Sequence, residues 1–267
     1  MRYILFLLVG AVLITGCGKQ TAPSAISNWT PPQNPNPQSI LSEAEADAKA
    51  GKYADALAKQ VWFFKNALTY DPGEYGVRLS FALSDWVELG KVYPPALGKL
   101  KALRDEAETD VRDEKNVRDN FSDFGSINEY LKEDAKTVDL FVWMDSNKPG
   151  SAKVVFDLAQ PALVKSKQYT LLGKYIQDPF RLYDDAVRNY ETTVEVAKNP
   201  KLGKEVENFA ESKFKNETTT LIALLVVTGR KAFAEKIVED LKKESSLPKD
   251  DEQIQKALNG EVPPPWP

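Results

Sequence analysis

The feature that most limits the possible fold is a helical hydrophobic pattern that continues from Ser39 almost to the end of the chain. Apolar residues recur at spacings of three and four, as at Val61, Phe64 and Leu68, which places them on one face of a helix. No segment shows the sustained alternation of apolar and polar residues that is typical of a half-buried strand. Proline and glycine occur between the patterned segments, where they end helices. The sequence therefore predicts an all-α fold.

The pattern predicts eleven helices joined by short turns. They are expected at 39–50, 53–70, 74–90, 94–117, 126–147, 151–166, 168–177, 179–198, 201–228, 230–245 and 249–259. Ser126 and Glu129 form a capping-box pattern for one of these helices, and Pro161 predicts a kink or break in another. The highly charged stretch 104–119 is interpreted as a solvated helix extension, with a partner-binding patch as the alternative. The run 221–227 is apolar on every face, which predicts a helix surrounded by others.

A short motif recurs along the helical region. Residues 51–57 read Gly-Lys-Tyr-Ala-Asp-Ala-Leu, and looser copies begin near Gly90, Tyr169 and Gly229. This motif resembles the second half of a tetratricopeptide repeat, where glycine makes the tight turn and a small alanine allows two helices to approach. The copies are irregularly spaced, whereas true tetratricopeptide repeats recur every 34 residues. The resemblance implies an irregular, tetratricopeptide-like array of helical hairpins, an α-solenoid, and a non-repetitive helical bundle is the alternative.

The amino terminus carries a short apolar run, Ile4–Ile14, that ends in Thr15, Gly16 and the only cysteine of the chain, Cys17. As a helix this run would span about 16 Å, short of the roughly 30 Å hydrocarbon core of a bilayer. The segment resembles the signal peptide and lipobox of bacterial lipoproteins. That resemblance implies cleavage before Cys17, a thioether-linked diacylglycerol on its sulfur and acylation of the new amine. An ordinary buried thiol is the alternative interpretation of Cys17.

The resemblance also implies that the protein is located in the cell envelope. Two or three acyl chains on Cys17 would anchor the protein stably, so the membrane is an expected partner. In Gram-negative lipoproteins an aspartate after the cysteine favours retention in the inner membrane, and here that residue is Gly18. The implied location is the periplasmic face of the outer membrane, or the outer surface of the plasma membrane if the host has a single membrane.

These observations divide the chain into four parts. Residues 1–16 are expected to be the signal peptide, and 17–38 a lipidated cysteine with a disordered, proline-rich tether. An alternative for the proline-rich segment is a ligand for a partner domain. Residues 39–260 are the helical domain, and 261–267 form a proline-rich tail. Trp266 in this tail is expected to pack on the last hairpin. Alternatively, the tail is exposed to solvent and serves as a recognition peptide.

Composition argues against most catalytic classes. The chain has no histidine, which excludes Ser-His-Asp and Cys-His nucleophilic sites and histidine-ligated zinc. It has 39 acidic and 35 basic residues, a balance that does not favour nucleic-acid binding. No phosphate-binding glycine loop or EF-hand spacing is present, so we expect no metal, no cofactor and no catalysis. A carboxylate-dependent cell-wall glycosidase remains an alternative, because Glu211-Ser212 resembles the start of a lytic transglycosylase motif whose later residues are missing.

Three consecutive aromatic residues, Trp62, Phe63 and Phe64, cover about 200° of a helix, so at least one should point away from its own hairpin. Trp62 or Phe63 is expected to meet the neighbouring repeat, or to line a groove that anchors a partner peptide. The sequence thus predicts a membrane-anchored, non-catalytic protein-binding scaffold of the cell envelope. Tetratricopeptide lipoproteins serve machines such as outer-membrane protein assembly, which implies a scaffold or assembly role. A glycosidase and a small-ligand-binding lipoprotein are the alternatives.

Overall fold

The protein is an irregular array of helical hairpins. The computed structural model describes residues 26–199 and 203–266, which contain thirteen α-helices, one 3-10 turn at Pro72–Glu74 and no strand. The helices α1 to α13 are, in order, Pro37–Lys49, Tyr53–Tyr70, Tyr75–Leu79, Phe81–Val92, Pro94–Arg112, Val117–Leu131, Asp134–Asn147, Pro149–Lys165, Tyr169–Tyr175, Pro179–Ala197, Gly203–Val227, Lys231–Lys243 and Asp251–Leu258. The all-α prediction is confirmed for the described part of the chain.

Helices that follow one another along the chain also pack against one another. The main pairs are α1 with α2, α4 with α5, α5 with α6, α7 with α8, and α10 with α11. One apolar core surrounds Trp86 in the amino-terminal half, where its indole Nε1 donates to the carbonyl oxygen of Ala96 at 2.9 Å. A larger core extends from α5 to α13. Most contacts therefore join helices that are neighbours in the sequence, as is typical of helical-hairpin arrays.

Four of the inter-helix turns share one backbone geometry. At each of them a residue with positive φ ends the first helix, and the second helix begins two residues later; these residues are Gly51, Lys132, Lys167 and Gly229. The N–H of the next residue donates to the carbonyl five residues back, for example from Arg230 to Leu225 at 2.7 Å. The residue five positions after the positive-φ residue is buried every time: Ala56, Thr137, Leu172 and Ala234. The structural repeat is therefore clearer than the sequence repeat, because two of its turns use lysine instead of glycine.

The copy of the motif at Gly90 is not such a turn. Gly90 lies inside α4, which continues to Val92, and the chain turns at Tyr93. A Cβ atom on Gly90 would lie 3.1 Å from the Cβ of Leu97. This glycine therefore serves the close approach of α4 and α5, not the turn between them.

The shared turn leads to a direct test of backbone strain. Gly229→Ala is expected to lower the free energy of unfolding by about 1–2 kcal/mol, because an alanine at φ 77° brings its Cβ close to the following carbonyl. Lys132→Gly, at φ 60° in an equivalent turn, is expected to be neutral or slightly stabilising. Urea unfolding followed by circular dichroism measures both. Equal destabilisation by the two substitutions would contradict a common turn geometry.

Several predicted helix boundaries are wrong, and polar residues with unusual backbone angles explain them. The predicted helix 94–117 ends at Arg112, because Glu114 and Asn116 adopt positive φ and form a turn. The charged stretch 104–119 is thus not one continuous helix. The predicted helix 126–147 is divided at Lys132, so Ser126 lies inside α6 and does not cap a helix.

Two further boundaries also differ from the sequence pattern. The predicted helix 74–90 is divided at Ser80, whose φ and ψ of −127° and −90° are not helical. In contrast, α8 continues past Pro161 without a break. Ala162 and Leu163, directly after this proline, are buried in the larger core, and their packing holds the helix together there.

Both ends of the described chain pack on the helical body. The side chain of Asn36 caps α1, which begins at Pro37, two residues before the predicted domain boundary. Before this cap, the ring of Trp29 lies edge-on against Trp62 at 6.5 Å, so this part of the segment expected to be a tether contacts the helical body. At the other end Trp266 packs edge-on against Phe209 of α11, so the tail docks.

Helix α11 is the central helix of the carboxyl-terminal half. It packs against α9, α10, α12 and α13, and residues 218–225 are all buried. The prediction that the apolar run 221–227 is surrounded by other helices is therefore confirmed for 221–225, whereas Val227 at its end is 39% exposed. Within the described ranges, no helix combines the length and the apolar character needed to cross a membrane.

Candidate functional site

The aromatic cluster on α2 does not form the expected groove. Phe63 is fully buried, with no exposed surface, so the expectation that it lines a partner groove is wrong. Trp62 is half-buried between Trp29, at 6.5 Å, and Tyr70, at 5.6 Å between ring centroids. Phe64 packs inside against Trp86. The hairpin core and the segment before α1 therefore cover most of this cluster.

The sequence also points to Cys17 and Glu211. Cys17 falls outside the described residues. Glu211 lies on the surface of α11 and forms an ion pair with Lys215 one turn further on.

An open groove lies between α10 and α12, with a volume of about 720 Å³. Its α10 side is one helical face, formed by residues spaced three or four apart: Phe180, Tyr183, Asp184, Val187 and Glu191. Its other side comprises the α12 residues Lys236, Asp240 and Lys243 and the following residues Glu244, Ser246 and Leu247. We call this feature the acidic groove. Its floor is aromatic and aliphatic, and its rim is charged.

The charge of the acidic groove is not internally balanced. Both of its lysines are already engaged, because Lys236 pairs with Asp240 at 3.1 Å and Lys243 pairs with Glu239 at 2.6 Å. The contact with Lys236 lowers the pKa of Asp240. The remaining groove carboxylates are Asp184, Glu191 and Glu244, and they make no ion pair within the described part of the chain. The rim therefore presents unpaired negative charge beside apolar surface.

Tyr183 forms part of the wall of the acidic groove. Its side chain is only 7% exposed, and its hydroxyl has no hydrogen-bond partner among the described residues. Burial raises the pKa of Tyr183 to about 12, and the nearby carboxylates Asp240, Glu244 and Asp184 add to this effect. The phenol stays protonated near neutral pH and keeps a free donor. A buried donor without a partner is costly, and such groups often mark a binding site.

A smaller cavity of about 240 Å³ lies on the opposite side of α10, enclosed by α8 and α11; Tyr183 lines both spaces. We call it the inner cavity. Its apolar wall is formed by Phe156, Ile176, Leu182, Ala186, Leu221 and Leu224. Thr218 also lines it, is 2% exposed, and has a hydroxyl without a partner in the described residues.

The rim of the inner cavity is polar but balanced in charge. Each of its three carboxylates pairs with a cation outside the cavity: Asp157 with Arg118, Asp185 with Arg188 and Glu217 with Lys213. Burial raises the pKa of Glu217, although Lys213 opposes this shift from 3.7 Å. The inner cavity therefore differs from the acidic groove, since it offers hydrogen-bonding groups without unpaired charge at its rim.

The sequence did not lead to a prediction of the acidic groove or the inner cavity, although each has a pattern that could have indicated it. Aromatic and acidic residues of α10 recur every three or four positions, which places them on one helical face that must meet another element. Thr218, Thr219 and Thr220 stand directly before the apolar run of α11, which places polar atoms in a buried helix. Nothing in the sequence pairs α10 with α12, because their contact is tertiary.

Comparison with known proteins returned no match among protein families, curated proteins or solved structures. The resemblances to tetratricopeptide repeats and to lipoproteins therefore remain predictions that rest on sequence motifs. Within residues 26–199 and 203–266, no cluster of three or more histidine, cysteine or acidic side chains is arranged to hold a metal ion. The acidic groove and the inner cavity can bind a partner or ligand through apolar contact, charge and hydroxyl donors.

Proposed function

We propose that this protein is a lipid-anchored, non-catalytic binding protein of the cell envelope. Lipids on Cys17 would fix it to the membrane, and the helical array would hold a segment of a protein partner in the acidic groove. The partner segment is basic, with lysine or arginine next to an apolar residue. This proposal joins the lipobox resemblance to the geometry of the groove, and it makes the protein a scaffold.

The observation that carries the proposal is the combination of unpaired carboxylates with a buried, unsatisfied tyrosine hydroxyl in one open groove. Asp184, Glu191 and Glu244 attract a cationic segment, and complementary charge favours both the rate and the specificity of association. Phe180 and Tyr183 offer the aromatic surface that anchors side chains at protein interfaces. The groove volume of about 720 Å³ accommodates several side chains of an extended or helical segment.

Site-specific photo-crosslinking in intact cells tests this proposal. Phe180→p-benzoylphenylalanine, in the acidic groove, is expected to give a discrete adduct whose cross-linked peptide is rich in lysine or arginine. Phe81→p-benzoylphenylalanine is the matched control, because Phe81 is 72% exposed on α4, away from the groove. Mass spectrometry identifies the partner and the attached peptide. Adducts of equal yield at both positions, or no adduct at Phe180, would refute groove binding.

Charge reversal in the acidic groove tests the same proposal by measuring the affinity of the partner. Asp184→Lys combined with Glu244→Lys is expected to weaken binding of the identified partner about tenfold, with loss of its salt dependence. Asp119→Lys combined with Asp139→Lys makes the same change in net charge at exposed positions on α6 and α7. If the two double variants bind alike, overall charge and not the groove governs association.

A further inference from the structure

The inner cavity contains a polar atom that the described residues leave unsatisfied. The hydroxyl oxygen of Thr218 is buried and has no hydrogen-bond partner among the described residues. A threonine inside a helix commonly donates to a carbonyl of the preceding turn, as Thr219 does to the carbonyl of Lys215 at 2.7 Å. Thr218, one position earlier, makes no such bond and lines the cavity. An unsatisfied buried hydroxyl costs about 1–3 kcal/mol, so it is expected to have a partner in the functional state.

The inner cavity combines apolar and polar side chains. Its volume of about 240 Å³ has room for several water molecules, and each needs two to four polar partners. Seven of the thirteen lining residues are polar, and the other six offer apolar surface that water does not satisfy: Phe156, Ile176, Leu182, Ala186, Leu221 and Leu224. A molecule with an apolar body would cover this surface, while its polar group would meet the Thr218 hydroxyl.

The charge balance at the rim limits the polar group of such a molecule. Because Asp157, Asp185 and Glu217 each pair with their own cation, the rim offers no free charge to a cationic ligand. The same carboxylates disfavour an anion. A hydroxyl group suits the site, since it can accept a hydrogen bond from one side chain and donate one to another.

We propose that the inner cavity binds a small uncharged molecule with an apolar, ring-sized body and a hydroxyl group, through the hydroxyl of Thr218. This site is separate from partner binding in the acidic groove, although Tyr183 lines both. Occupation of the cavity would give the carboxyl-terminal hairpins a small-molecule ligand in addition to a protein partner.

The probe is p-cresol, added to the full chain purified in detergent. Calorimetry and saturation-transfer NMR are expected to show saturable binding, and thermal unfolding is expected to shift upwards because the ligand binds only the folded state. Toluene, which lacks the hydroxyl, and p-toluate, which carries a charge, are expected to bind at least tenfold more weakly. No saturable binding of p-cresol to the wild-type chain would overturn the proposal.

Matched variants locate the binding site. Thr218→Val removes the hydroxyl with almost no change of shape and is expected to weaken p-cresol binding about tenfold. Thr220→Val is the control, because Thr220 also carries a buried, unpartnered hydroxyl but does not line the inner cavity. Ala186→Leu fills the cavity and is expected to abolish binding in a chain that still shows a cooperative thermal transition. Equal affinity in Thr218→Val, Thr220→Val and Ala186→Leu would place the probe elsewhere and refute the assignment.

Discussion

Cys17→Ser is expected to abolish lipid attachment and to move the protein from the detergent phase to the aqueous phase in a phase-separation assay. Lipidation requires the cysteine sulfur, and serine cannot form the thioether. Two or three acyl chains would supply most of the membrane affinity, since each buried methylene contributes about 0.8 kcal/mol. Incorporation of labelled palmitate and the intact mass of the purified chain provide direct readouts. Both should report lipid on the wild-type protein and none on Cys17→Ser.

The neighbouring position provides a control that keeps the anchor. Gly18→Asp should still incorporate palmitate and remain in the detergent phase. In a Gram-negative host the lipoprotein resemblance further implies that this variant shifts from the outer to the inner membrane on a density gradient. Palmitate labelling of Cys17→Ser equal to that of the wild type would show that the lipobox interpretation is wrong.

Asp123→Ala is expected to lower the free energy of unfolding by about 3–5 kcal/mol, which corresponds to a fall in melting temperature of about 10 °C. Asp123 of α6 binds the guanidinium of Arg78 of α3, with Arg78 Nη1 donating to Oδ2 at 3.1 Å. Arg78 is 5% exposed and its guanidinium carbon lies 4.4 Å from the centre of the Phe64 ring. Removal of the carboxylate would leave a buried cation without its partner. Thermal unfolding followed by circular dichroism measures the effect.

Two further variants separate this ion pair from general effects on α6. Asp119→Ala, at an exposed position on the same helix, is expected to change stability by less than about 0.5 kcal/mol. The double variant Arg78→Met with Asp123→Leu is expected to lose much less than Asp123→Ala, because neither charge then remains buried. Burial raises the pKa of Asp123 even though Arg78 opposes the shift, which agrees with a pair that costs desolvation. A double variant as unstable as Asp123→Ala would contradict this account.

Hydrophobic periodicity predicted the helices well, but not all of their ends. Within 26–199 and 203–266 the helical segments follow the apolar stripes closely, as in α2, which spans the predicted 53–70. Two of the boundary errors occur at Lys132 and in the turn of Glu114 and Asn116, where polar residues adopt positive φ. Lysine and glutamate favour helices, so the sequence gives no sign there of the left-handed conformation that glycine, and less often asparagine, indicates. The motif at Gly51 predicted its own turn, and the looser copy near Tyr169 indicated the equivalent turn at Lys167 without a glycine.

The sequence by itself determined the all-α class, the buried character of α11 and the hairpin turns at Gly51 and Gly229. These properties depend on local spacing and on backbone freedom, which neighbouring residues encode directly. Only the tertiary structure decided that Phe63 is buried, that Trp29 covers Trp62, and that α10 separates the acidic groove from the inner cavity. Those features join helices distant in the chain, such as α8, α10 and α12, whose contacts depend on how the hairpins pack together. Local periodicity shows which face of a helix must be covered, and packing alone selects what covers it.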